Sequence, residues 1–470
     1  MGRNRRRVTR VAAAIALTAA VFGCAAAPVG ASPAPIKHVF IIVLENKNFA
    51  ESFGSDTQAP YLAQTLPSQG ALLPNYYGTA HDSLANYIAM VSGQGPNPQT
   101  QADCQSYDQF LPGTPTEDGQ YLGQGCVLPP GVAAIANQLE GAGFTWSAYQ
   151  EEMNAGAPPG AERPCRHPAI GANDSGSGSF TDGYVTKHNP FMYFHSIIDF
   201  PTCVQNDVDL SHLPTDLQSK HTTANYSFIS PTMCSDGHNE PCRDGRPGGL
   251  EQADQFLRDW VPMILASPGY QDHGLLIVTF DEAHSADDCF NSPCPTGSDP
   301  SACCGEKPGP NTPNNAGIEA GLGGGRVGAV LLSPCITPGT VDETPYNHYS
   351  MLRSIEDLFG LDHLGFAGQD GLVTFSEGNV FASGPCVSID LTRKPRKAEV
   401  GKKTRFRFQV TSVADECVHG VEIRFAGKRA FTDDAGRAKI RTTLKSERRY
   451  RVRATKGGCD PDSARIKAHD

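Results

Sequence analysis

The sequence predicts a doubly wound α/β domain followed by a small all-β domain. In the first part of the chain, a short apolar run, an acid or histidine beyond it and then a helical segment recur four times. This order is typical of a sheet with helices on both faces and a site along one edge. From about Pro385 onward the pattern changes to short alternating segments separated by turns, which are typical of a β-sandwich.

Continuous apolar runs predict the strands of the first domain. Such runs favour strands that are covered on both faces of a largely parallel sheet. A fifth, shorter strand is predicted at residues 144–149. The four main runs are residues 37–44 (KHVFIIVL), 225–229, 274–280 and 326–332.

Amphipathic runs predict the helices between these strands. Gly360 follows the last of them and is a typical stop signal. Residues 94–130 and 151–190 are rich in Gly, Pro, Ser or Gln and are expected to be loops. The predicted helices cover residues 84–91, 132–143, 250–265 and 351–359, with a weak helical signal at 61–66.

Ser83 opens one of these helical runs, within the stretch GTAHDSLANYIAMVSG at residues 78–93. A serine in this place is most often only a helix cap. The same geometry also directs free N–H groups and the positive end of the helix dipole at any anion held there. Ser83 is therefore a candidate nucleophile for attack at phosphorus, provided that something stabilises its alkoxide.

Residues 1–31 are predicted to be a signal peptide. Five arginines precede an apolar stretch at 11–27, and Val29-Gly30-Ala31 fits a cleavage site before Ser32. A twin-arginine route and a lipid anchor at Cys24 stay open. We expect a secreted protein with a catalytic domain at 32–384 and a basic β-sandwich, immunoglobulin-like in its spacing, at 385–470.

Cysteine content agrees with export. The chain has 15 cysteines, and without Cys24 an even number remains, which predicts up to seven disulfides whose pairing the sequence does not give. The alternative is a zinc cluster in the loop that holds Cys289, Cys294, Cys303 and Cys304. Because these cysteines lack the paired CxxC spacing of zinc sites, disulfides explain them better.

The charge is unevenly distributed. The net charge is −11, yet residues 385–470 hold 22 Lys and Arg against 11 Asp and Glu, so the remainder is strongly acidic. An acidic body argues against nucleic-acid binding and is compatible with cations. The basic tail is most simply a solvated strand face. The alternative is adhesion to an anionic cell-wall or lipid surface.

Two sets of potential metal ligands follow the predicted strands. Singly, each residue has a structural explanation, and their joint placement beyond apolar strands favours a site. One or two divalent cations there would lower the pKa of the Ser83 hydroxyl. An oxygen set, suited to Mg, Ca or Mn, consists of Glu45, Asn46, Asp281 and Glu282; a mixed set, suited to Zn or Mn, consists of Asp236, His238, His348 and, as a further candidate, His284.

Several segments together resemble the bacterial phosphoesterase family, which includes secreted phospholipases C and acid phosphatases and belongs to the alkaline phosphatase superfamily. The resemblance covers about residues 36–365, and the segments occur in the family's order. They are IKHVFIIVLENKNF, DSLANYIAMVSG, NYSFISPTMCSDGH, IVTFDEAH and NHYSMLRSIEDLFGL.

The resemblance implies an alkaline-phosphatase-like α/β fold and a serine or threonine that forms a covalent phospho-enzyme. Ser83 matches the nucleophile, and Asn86 matches a residue that donates to a phosphoryl oxygen. The segment after Glu282 and the cysteine-bearing loop at 285–322 differ from other members. The oxygen set matches one metal site: Glu45, Asn46, Asp281 and Glu282. The residues Asp236, His238 and His348 match a second site or, in members with one metal, residues that hold the phosphoryl group.

We therefore expect a secreted, metal-dependent phosphatase or phosphodiesterase that acts on a phosphate ester through a phosphoserine. One alternative is a phospholipase C that acts on phospholipid head groups, and another is a non-catalytic cell-surface-binding module. A sulfatase is disfavoured because residues 84–87 lack the arginine of the sulfatase modification motif. The metal (Zn, Mn, Mg or Ca), its number and the oligomeric state stay open.

Overall fold

The protein is described by a computed structural model. The predicted signal peptide, Cys24, Cys289 and Cys294 lie outside the described residues. Among the described residues, no helix is both long and apolar enough to cross a membrane. The described residues are 36–174, 176, 178–179, 181–284, 299, 301–312, 323–381, 389–412, 417–456 and 459–469.

Twelve strands lie in the described residues before 389. All seven residues of β1 and all seven of β9 are buried, as their continuous apolar runs predict. The strands are β1 His38–Leu44, β2 Ala71–Leu73, β3 Tyr76–Tyr77, β4 Leu111–Pro115, β5 Tyr121–Gln124, β6 Trp146–Gln150, β7 Asp207–Asp209, β8 Tyr226–Ser230, β9 Gly274–Phe280, β10 Ala329–Leu332, β11 Thr340–Val341 and β12 Tyr346–Asn347.

Helices connect these strands, and three of the predicted ones end at a glycine. Gly93, Gly143 and Gly360 all adopt left-handed backbone conformations that stop a helix. The helices are α1 Phe49–Phe53, α2 Leu66–Gln69, α3 Ser83–Ser92, α4 Ile135–Ala142, α5 His195–Ile198, α6 Pro201–Asn206, α7 Leu213–Asp216, α8 Gly249–Ala266, α9 Pro268–Gln271 and α10 His348–Phe359.

Eight strands form one large sheet in the order β11-β2-β10-β9-β1-β8-β6-β7. Strand β1 lies at its centre and pairs in parallel with both β8 and β9. The carboxyl ends of these three neighbours therefore meet at one edge. The predicted α/β class is confirmed.

The fourth predicted strand differs in direction. Strand β10 runs antiparallel to both of its neighbours, β9 and β2, so its carboxyl end points to the opposite edge of the sheet. His348 still returns to the site edge, because the chain passes through β11 and β12 before α10 begins. The sheet is therefore mixed, whereas the repeated pattern predicted four equivalent strand ends.

The C-terminal part folds into two sheets around a core of its own. Phe406 and Phe425, from different sheets, pack with ring centroids 4.7 Å apart, and the core residues all lie between 389 and 468. The boundary at residue 385 stays a prediction. The sheets have the orders β13-β15-β18 and β14-β20-β19-β16-β17. The strands are β13 Asp390–Lys394, β14 Lys397–Glu399, β15 Lys403–Thr411, β16 Glu422–Phe425, β17 Lys428–Phe431, β18 Arg437–Thr443, β19 Arg449–Lys456 and β20 Cys459–His469.

Disulfides occur in both parts of the chain, as the cysteine content predicts. Such bonds persist in oxidising compartments. The bond between Cys303 and Cys304 leaves neither thiolate for the zinc cluster considered above. The described bonds are Cys104–Cys126, Cys165–Cys203, Cys234–Cys242, Cys303–Cys304 and Cys417–Cys459.

A buried carboxyl on α10 predicts pH-dependent stability. Burial raises the pKa of Glu356 to about 9, although its Oε1 accepts a hydrogen bond of 2.9 Å from the Leu364 N–H. The folded state keeps this proton up to about pH 9, whereas the unfolded state releases it above the ordinary pKa of 4.5. The free energy of unfolding therefore falls as the pH rises from about 4.5 to about 9.

We therefore expect Glu356→Gln to raise the melting temperature by ~2–5 °C at pH 8. The gain should shrink steadily as the pH is lowered to 5. Scanning calorimetry at several pH values measures it, with the exposed Glu251→Gln as control. A gain that does not change with pH would contradict the assignment.

Candidate active site

The site residues collect at the carboxyl ends of the three central strands. Glu45 and Asn46 follow β1 directly, and Asp281 follows β9. Asp236 is held at the end of β1 by a backbone hydrogen bond: its carbonyl oxygen accepts from the Glu45 N–H at 3.0 Å. The edge predicted from the sequence therefore carries acids from three neighbouring strands.

Ser83 is brought to this edge by α3. It is the first residue of the helix, and Asp82 occupies the cap position. The Ser83 hydroxyl donates a 2.9 Å hydrogen bond to Glu45 Oε2 and does not cap its own helix. The ordinary explanation for a serine at a helix start therefore does not apply, and the hydroxyl faces the acids.

Three side chains form a buried cluster beside Ser83. Glu45 Oε1 lies 3.1 Å from His188 Nε2, and Asp236 Oδ2 lies 3.3 Å from His188 Nδ1. None of these four atoms has a hydrogen-bond partner of acceptable geometry among the described residues. One ligand atom from each residue can be chosen so that all lie within 4.8 Å of one another, a spacing that suits one shared cation.

The position of His188 is fixed by its surroundings. It belongs to a 3₁₀ helix, Thr186–His188, and its ring stacks on Tyr87 of α3 with centroids 5.2 Å apart and planes at 4°. Burial, followed by the nearby Lys187 charge, lowers the pKa of His188 well below its usual value. The imidazole is therefore neutral, which is the form that binds a metal.

The buried acids crowd one another. Burial raises the pKa of Glu45, Asp236 and Asp281, and in each case a neighbouring carboxylate raises it further. The neighbours are Asp281 for Glu45, Glu45 for Asp236 and Glu282 for Asp281. Buried like charges are costly unless a cation compensates them. Carboxylates with one imidazole match the donors that Zn and Mn prefer, so the residues fit the implied metal.

Asp281 and Asn46 lie together in the predicted oxygen set. The Asn46 N–H donates to Asp281 Oδ1 at 3.2 Å, and Asn46 has a left-handed backbone with φ +50°. Asp281 Oδ2 is buried without a hydrogen-bond partner among the described residues. These two residues thus stay candidates for ligation.

Glu282 and His348 make other contacts. The Glu282 carboxylate pairs with the His81 ring in the loop before Ser83. His348 Nε2 donates to the Asp281 carbonyl oxygen at 2.5 Å, and its Nδ1 lies 3.1 Å from the Tyr76 hydroxyl. The imidazole thereby holds the end of β9 in place, and ligation by either residue stays a prediction.

His238 and His284 are placed differently. The His238 backbone N–H donates to Asp236 Oδ1 at 2.8 Å, which orients that acid, and its side chain lines the cleft described below. His284 Nε2 lies 2.9 Å from Glu51 Oε2 on α1. His284 is thus paired with Glu51, whereas His238 lines the cleft.

Asn86 organises the loop that precedes the helix. Its Oδ1 accepts hydrogen bonds from the backbone N–H groups of Thr79 and Ala80, at 2.8 and 3.0 Å. Its Nδ2 donates to the carbonyl oxygens of Ala80 and Asp82. Asn86 therefore fixes the backbone leading to Ser83, and its predicted contact with a phosphoryl oxygen is not tested.

A buried lysine supplies positive charge beside Ser83. Lys187 Nζ donates to Asp103 Oδ2 at 2.6 Å, and Asp103 Oδ1 accepts from the Leu84 N–H in the first turn of α3. Burial acts to lower the pKa of Lys187, but Asp103, Glu45 and Asp82 together raise it above its ordinary value. Lys187 is therefore charged at every physiological pH.

A polar cleft of about 1110 Å³ opens beside this pair. Its lining combines three acids with a lysine, an arginine and a histidine, and few apolar side chains. Such a cleft suits a hydrated, charged substrate better than a long apolar chain. The lining residues are Asp82, Ala102, Asp103, Gln105, Ser106, Asn173, Asp174, Gly176, Lys187, Met233, His238, Asn239 and Arg243.

Sequence reasoning missed Lys187, His188 and His81. Lys187 and His188 lie in a segment predicted as loop, with no apolar strand before them to mark a sheet edge. His81 lies two residues before Ser83, within the stretch singled out above, and its pairing with Glu282 spans 201 residues. Only the folded chain shows these contacts.

Comparison with known proteins gives one family. The model of the Phosphoesterase family matches residues 55–362, well over half of the chain. This range contains every candidate residue named above except Glu45 and Asn46, which lie before residue 55.

Curated relatives match over a similar range. The probable acid phosphatase of Kluyveromyces lactis is 26% identical over 332 residues, which are 71% of this chain and 60% of that protein. The acid phosphatase of Aspergillus fumigatus is 26% identical over 326 residues, 69% of this chain and 55% of that protein. The phosphatidylinositol-3-phosphatase of Mycobacterium tuberculosis is 24% identical over 330 residues, 70% of this chain and 79% of that protein. The chain thus spans less than two thirds of the two fungal relatives.

Among solved structures, a protein of the alkaline phosphatase superfamily from Vibrio parahaemolyticus aligns with a TM-score of 0.39 and 12% identity. The alignment covers 88% of this chain and 85% of that chain. A similarity at this level carries no argument about the site.

Proposed function

Since the chain belongs to the Phosphoesterase family, we propose that it is a secreted, metal-dependent phosphoric-ester hydrolase with Ser83 as nucleophile. One observation carries the proposal. The Ser83 hydroxyl donates to Glu45 Oε2 at 2.9 Å, and the other oxygen of the same carboxylate faces His188 in the cluster that fits a cation. A nucleophile and its activating group are thus joined through one side chain.

The metal would be held by Glu45, His188 and Asp236, with Asp281 and Asn46 as further candidates. A divalent cation supplies two things when bound: it lowers the pKa of a neighbouring hydroxyl and it neutralises charge on a phosphoryl group. This assignment is supported by buried atoms that lack hydrogen-bond partners among the described residues: Glu45 Oε1, both ring nitrogens of His188, Asp236 Oδ2 and Asp281 Oδ2. An unpaired buried acceptor costs about 1–3 kcal/mol, so a ligand for these atoms is expected.

The chain's own residues account for the two displacements. The Ser83 hydroxyl donates its hydrogen bond to Glu45. A lone pair of Ser83 Oγ therefore points away from Glu45. The Ser83 proton passes to Glu45 as Ser83 Oγ forms a bond to phosphorus and the bond to the ester oxygen breaks, and the leaving alkoxide takes up a proton from solvent. Water then attacks the phosphoserine and keeps one of its protons on the phosphate that leaves, the other going to solvent, while Ser83 Oγ takes back the proton held by Glu45.

Lys187 is proposed to attract the anionic ester. Its charge lies in the lining of the cleft, near Glu45 and Asp82, and a charge-assisted contact with a phosphoryl oxygen is stronger than a neutral one. With Lys187 removed, the Asp103 carboxylate would instead repel the substrate.

Lys187→Met is therefore expected to raise KM for p-nitrophenyl phosphate by about 10- to 100-fold, with a smaller change in kcat. Lys187→Arg keeps the charge and should recover most of the binding. Lys220→Met, at an exposed lysine paired with Asp272, is the matched control for loss of one ammonium group. A normal KM in a folded Lys187→Met variant would remove Lys187 from the site.

The charged lining of the cleft suits small phosphate monoesters better than the acyl chains of a phospholipid. A panel of p-nitrophenyl phosphate, bis-p-nitrophenyl phosphate and phosphatidylcholine, each measured with and without a chelator, tests the proposal. We expect the highest kcat/KM on the monoester and loss of turnover after chelation, restored by one of Zn, Mn, Mg or Ca. Preference for phosphatidylcholine would favour the phospholipase C alternative, and hydrolysis of none of the esters would favour a non-catalytic surface-binding module.

Secretion is part of the proposal. The described disulfides in both parts of the chain support an oxidising compartment, and residues 1–31 have the features of a signal peptide. Mass analysis of the protein from culture medium tests this, and the expected mature start is Ser32.

A further inference from the structure

The five-stranded sheet of the C-terminal part has an outer face covered by cations. Along β19, Val452 and Ala454 point into the core, whereas the residues that alternate with them are exposed. The same alternation holds on β16 and β20. We call the exposed cations on the outer face of this sheet the basic face; they are Lys397, Arg424, Arg429, Arg449, Arg451, Arg453, Arg465 and Lys467.

The strand register places these cations directly opposite one another. Arg424 on β16 faces both Arg453 on β19 and Arg429 on β17. On the β19–β20 pair, Arg451 faces Arg465, and Arg449 faces Lys467. Residues opposed in this way have Cβ atoms only about 4.5–5.5 Å apart, and like charges so placed destabilise a sheet.

Acidic neighbours offset little of this charge. Among the eight residues of the basic face, and within the described part of the chain, only Arg424 lies within ion-pair distance of a carboxylate, that of Glu422 at 2.8 Å. If the face only had to be soluble, alternating lysine and glutamate side chains would make it equally soluble. The opposed rows of cations therefore do not stabilise the folded chain.

The basic face also has a concave part. A cleft of about 640 Å³ lies at the β16–β17 hairpin. Its cations are Arg424, Lys428, Arg429, Arg451 and Arg453, so a single anionic group there would meet several guanidinium groups at once.

We propose that the basic face binds a linear anionic polysaccharide that carries sulfate, phosphate or carboxylate groups at regular intervals. Adjacent strands lie about 4.8 Å apart, and residues two apart along a strand are separated by about 6.8 Å, so the guanidinium groups form a regular array. Arginine pairs with such oxyanions through two parallel hydrogen bonds. The contact compensates the like charges that the register brings together.

The shape and polarity of the face favour a polysaccharide over a bilayer or a single-stranded nucleic acid. In the described residues from 389 onward, Phe431 is the only large hydrophobic side chain that is strongly exposed. Peripheral membrane binding usually buries several apolar side chains, and binding of single-stranded nucleic acid usually stacks bases on several aromatic rings. One phenylalanine at the edge strand provides neither surface.

The test measures binding of the full chain to dextran sulfate by titration calorimetry, with neutral dextran as reference. We expect the triple variant Arg424→Gln/Arg451→Gln/Arg453→Gln to weaken binding about 100-fold, since each cation near an anionic surface contributes about fivefold. Hydrolysis of p-nitrophenyl phosphate should be unchanged, because none of the three lies at the proposed active site. The melting temperature should be equal or higher, because the variant removes repulsion.

A matched variant removes the same charge from exposed positions outside the basic face. Lys403→Gln/Arg437→Gln/Lys445→Gln changes three exposed cations, of which Lys403 and Arg437 face Thr443 and Gln409 across the β15–β18 register, and should weaken binding less than fivefold. Equal losses in both variants would show diffuse attraction and overturn the assigned face. Equal binding of dextran sulfate and dextran would overturn the proposal, as would tighter binding to vesicles of phosphatidylcholine and phosphatidylserine or to single-stranded DNA.

Discussion

Ser83→Ala is expected to lower kcat for p-nitrophenyl phosphate by about 10³-fold or more, because the group that attacks phosphorus is lost. The substitution removes one hydroxyl and its 2.9 Å hydrogen bond to Glu45, and that hydroxyl does not cap its own helix. The melting temperature should therefore change little. Steady-state kinetics on purified, metal-loaded protein measures the effect.

Ser92→Ala is the matched control for this variant. Ser92 is a buried serine at the other end of the same helix, and its hydroxyl donates to the Ile88 carbonyl oxygen at 2.8 Å. We expect this variant to keep nearly full activity. Turnover by Ser83→Ala at a rate within a few fold of the control would discard the proposed mechanism.

Glu45→Gln is expected to lower both metal content and turnover. The amide keeps the shape of the side chain, yet it replaces the anionic oxygen that lies 3.1 Å from His188 Nε2 with a neutral group and weakens acceptance from Ser83. The loss of one of the few charged ligands should reduce metal affinity by about 10- to 100-fold, by analogy with changes around metal sites, and kcat by about 10²-fold or more.

Elemental analysis after dialysis against a low metal concentration measures the metal content of Glu45→Gln directly and does not depend on its activity. Glu356→Gln, the same replacement at a buried glutamate on α10, is the matched control and should retain its metal. If Glu45→Gln binds metal as the unaltered protein does, Glu45 is not a ligand and the activation of Ser83 needs another explanation.

The elements that carry the site could be predicted because their sequences obey strong local rules. Strands β1 and β9 are apolar at nearly every position, and each ends where polar residues begin, at Glu45 and Asp281. Ser83 stood out because it begins an amphipathic run. The resemblance to the phosphoesterase family is confirmed by the family match over residues 55–362.

What could not be predicted depends on contacts between distant segments. The reversed direction of β10 depends on how the chain returns after β9, and no local pattern records that path. The two ligand sets were divided by residue type, whereas the fold places Glu45 of one set and Asp236 of the other around His188. His348 matched the family pattern, but its ring holds the Asp281 carbonyl group, which only the packed structure shows.

The charge pattern of the tail illustrates the same limit. Composition gave an excess of Lys and Arg from residue 385 onward, and alternation gave strands with one exposed face. Whether the exposed cations meet acids or other cations depends on the register. That register sets Arg424 against Arg453 and Arg451 against Arg465, and it turns an ordinary solvated face into a candidate binding surface.

The central claim is that Ser83 carries the phosphoryl group during turnover, and rapid-quench phosphopeptide mapping tests it most directly. Metal-loaded enzyme is mixed with excess p-nitrophenyl phosphate, quenched in acid during the first turnovers, digested and analysed by tandem mass spectrometry. The account predicts one phosphoryl group, on the peptide that contains Ser83 and at that residue. Active turnover with the phosphoryl group on another residue, and none on Ser83, would contradict it.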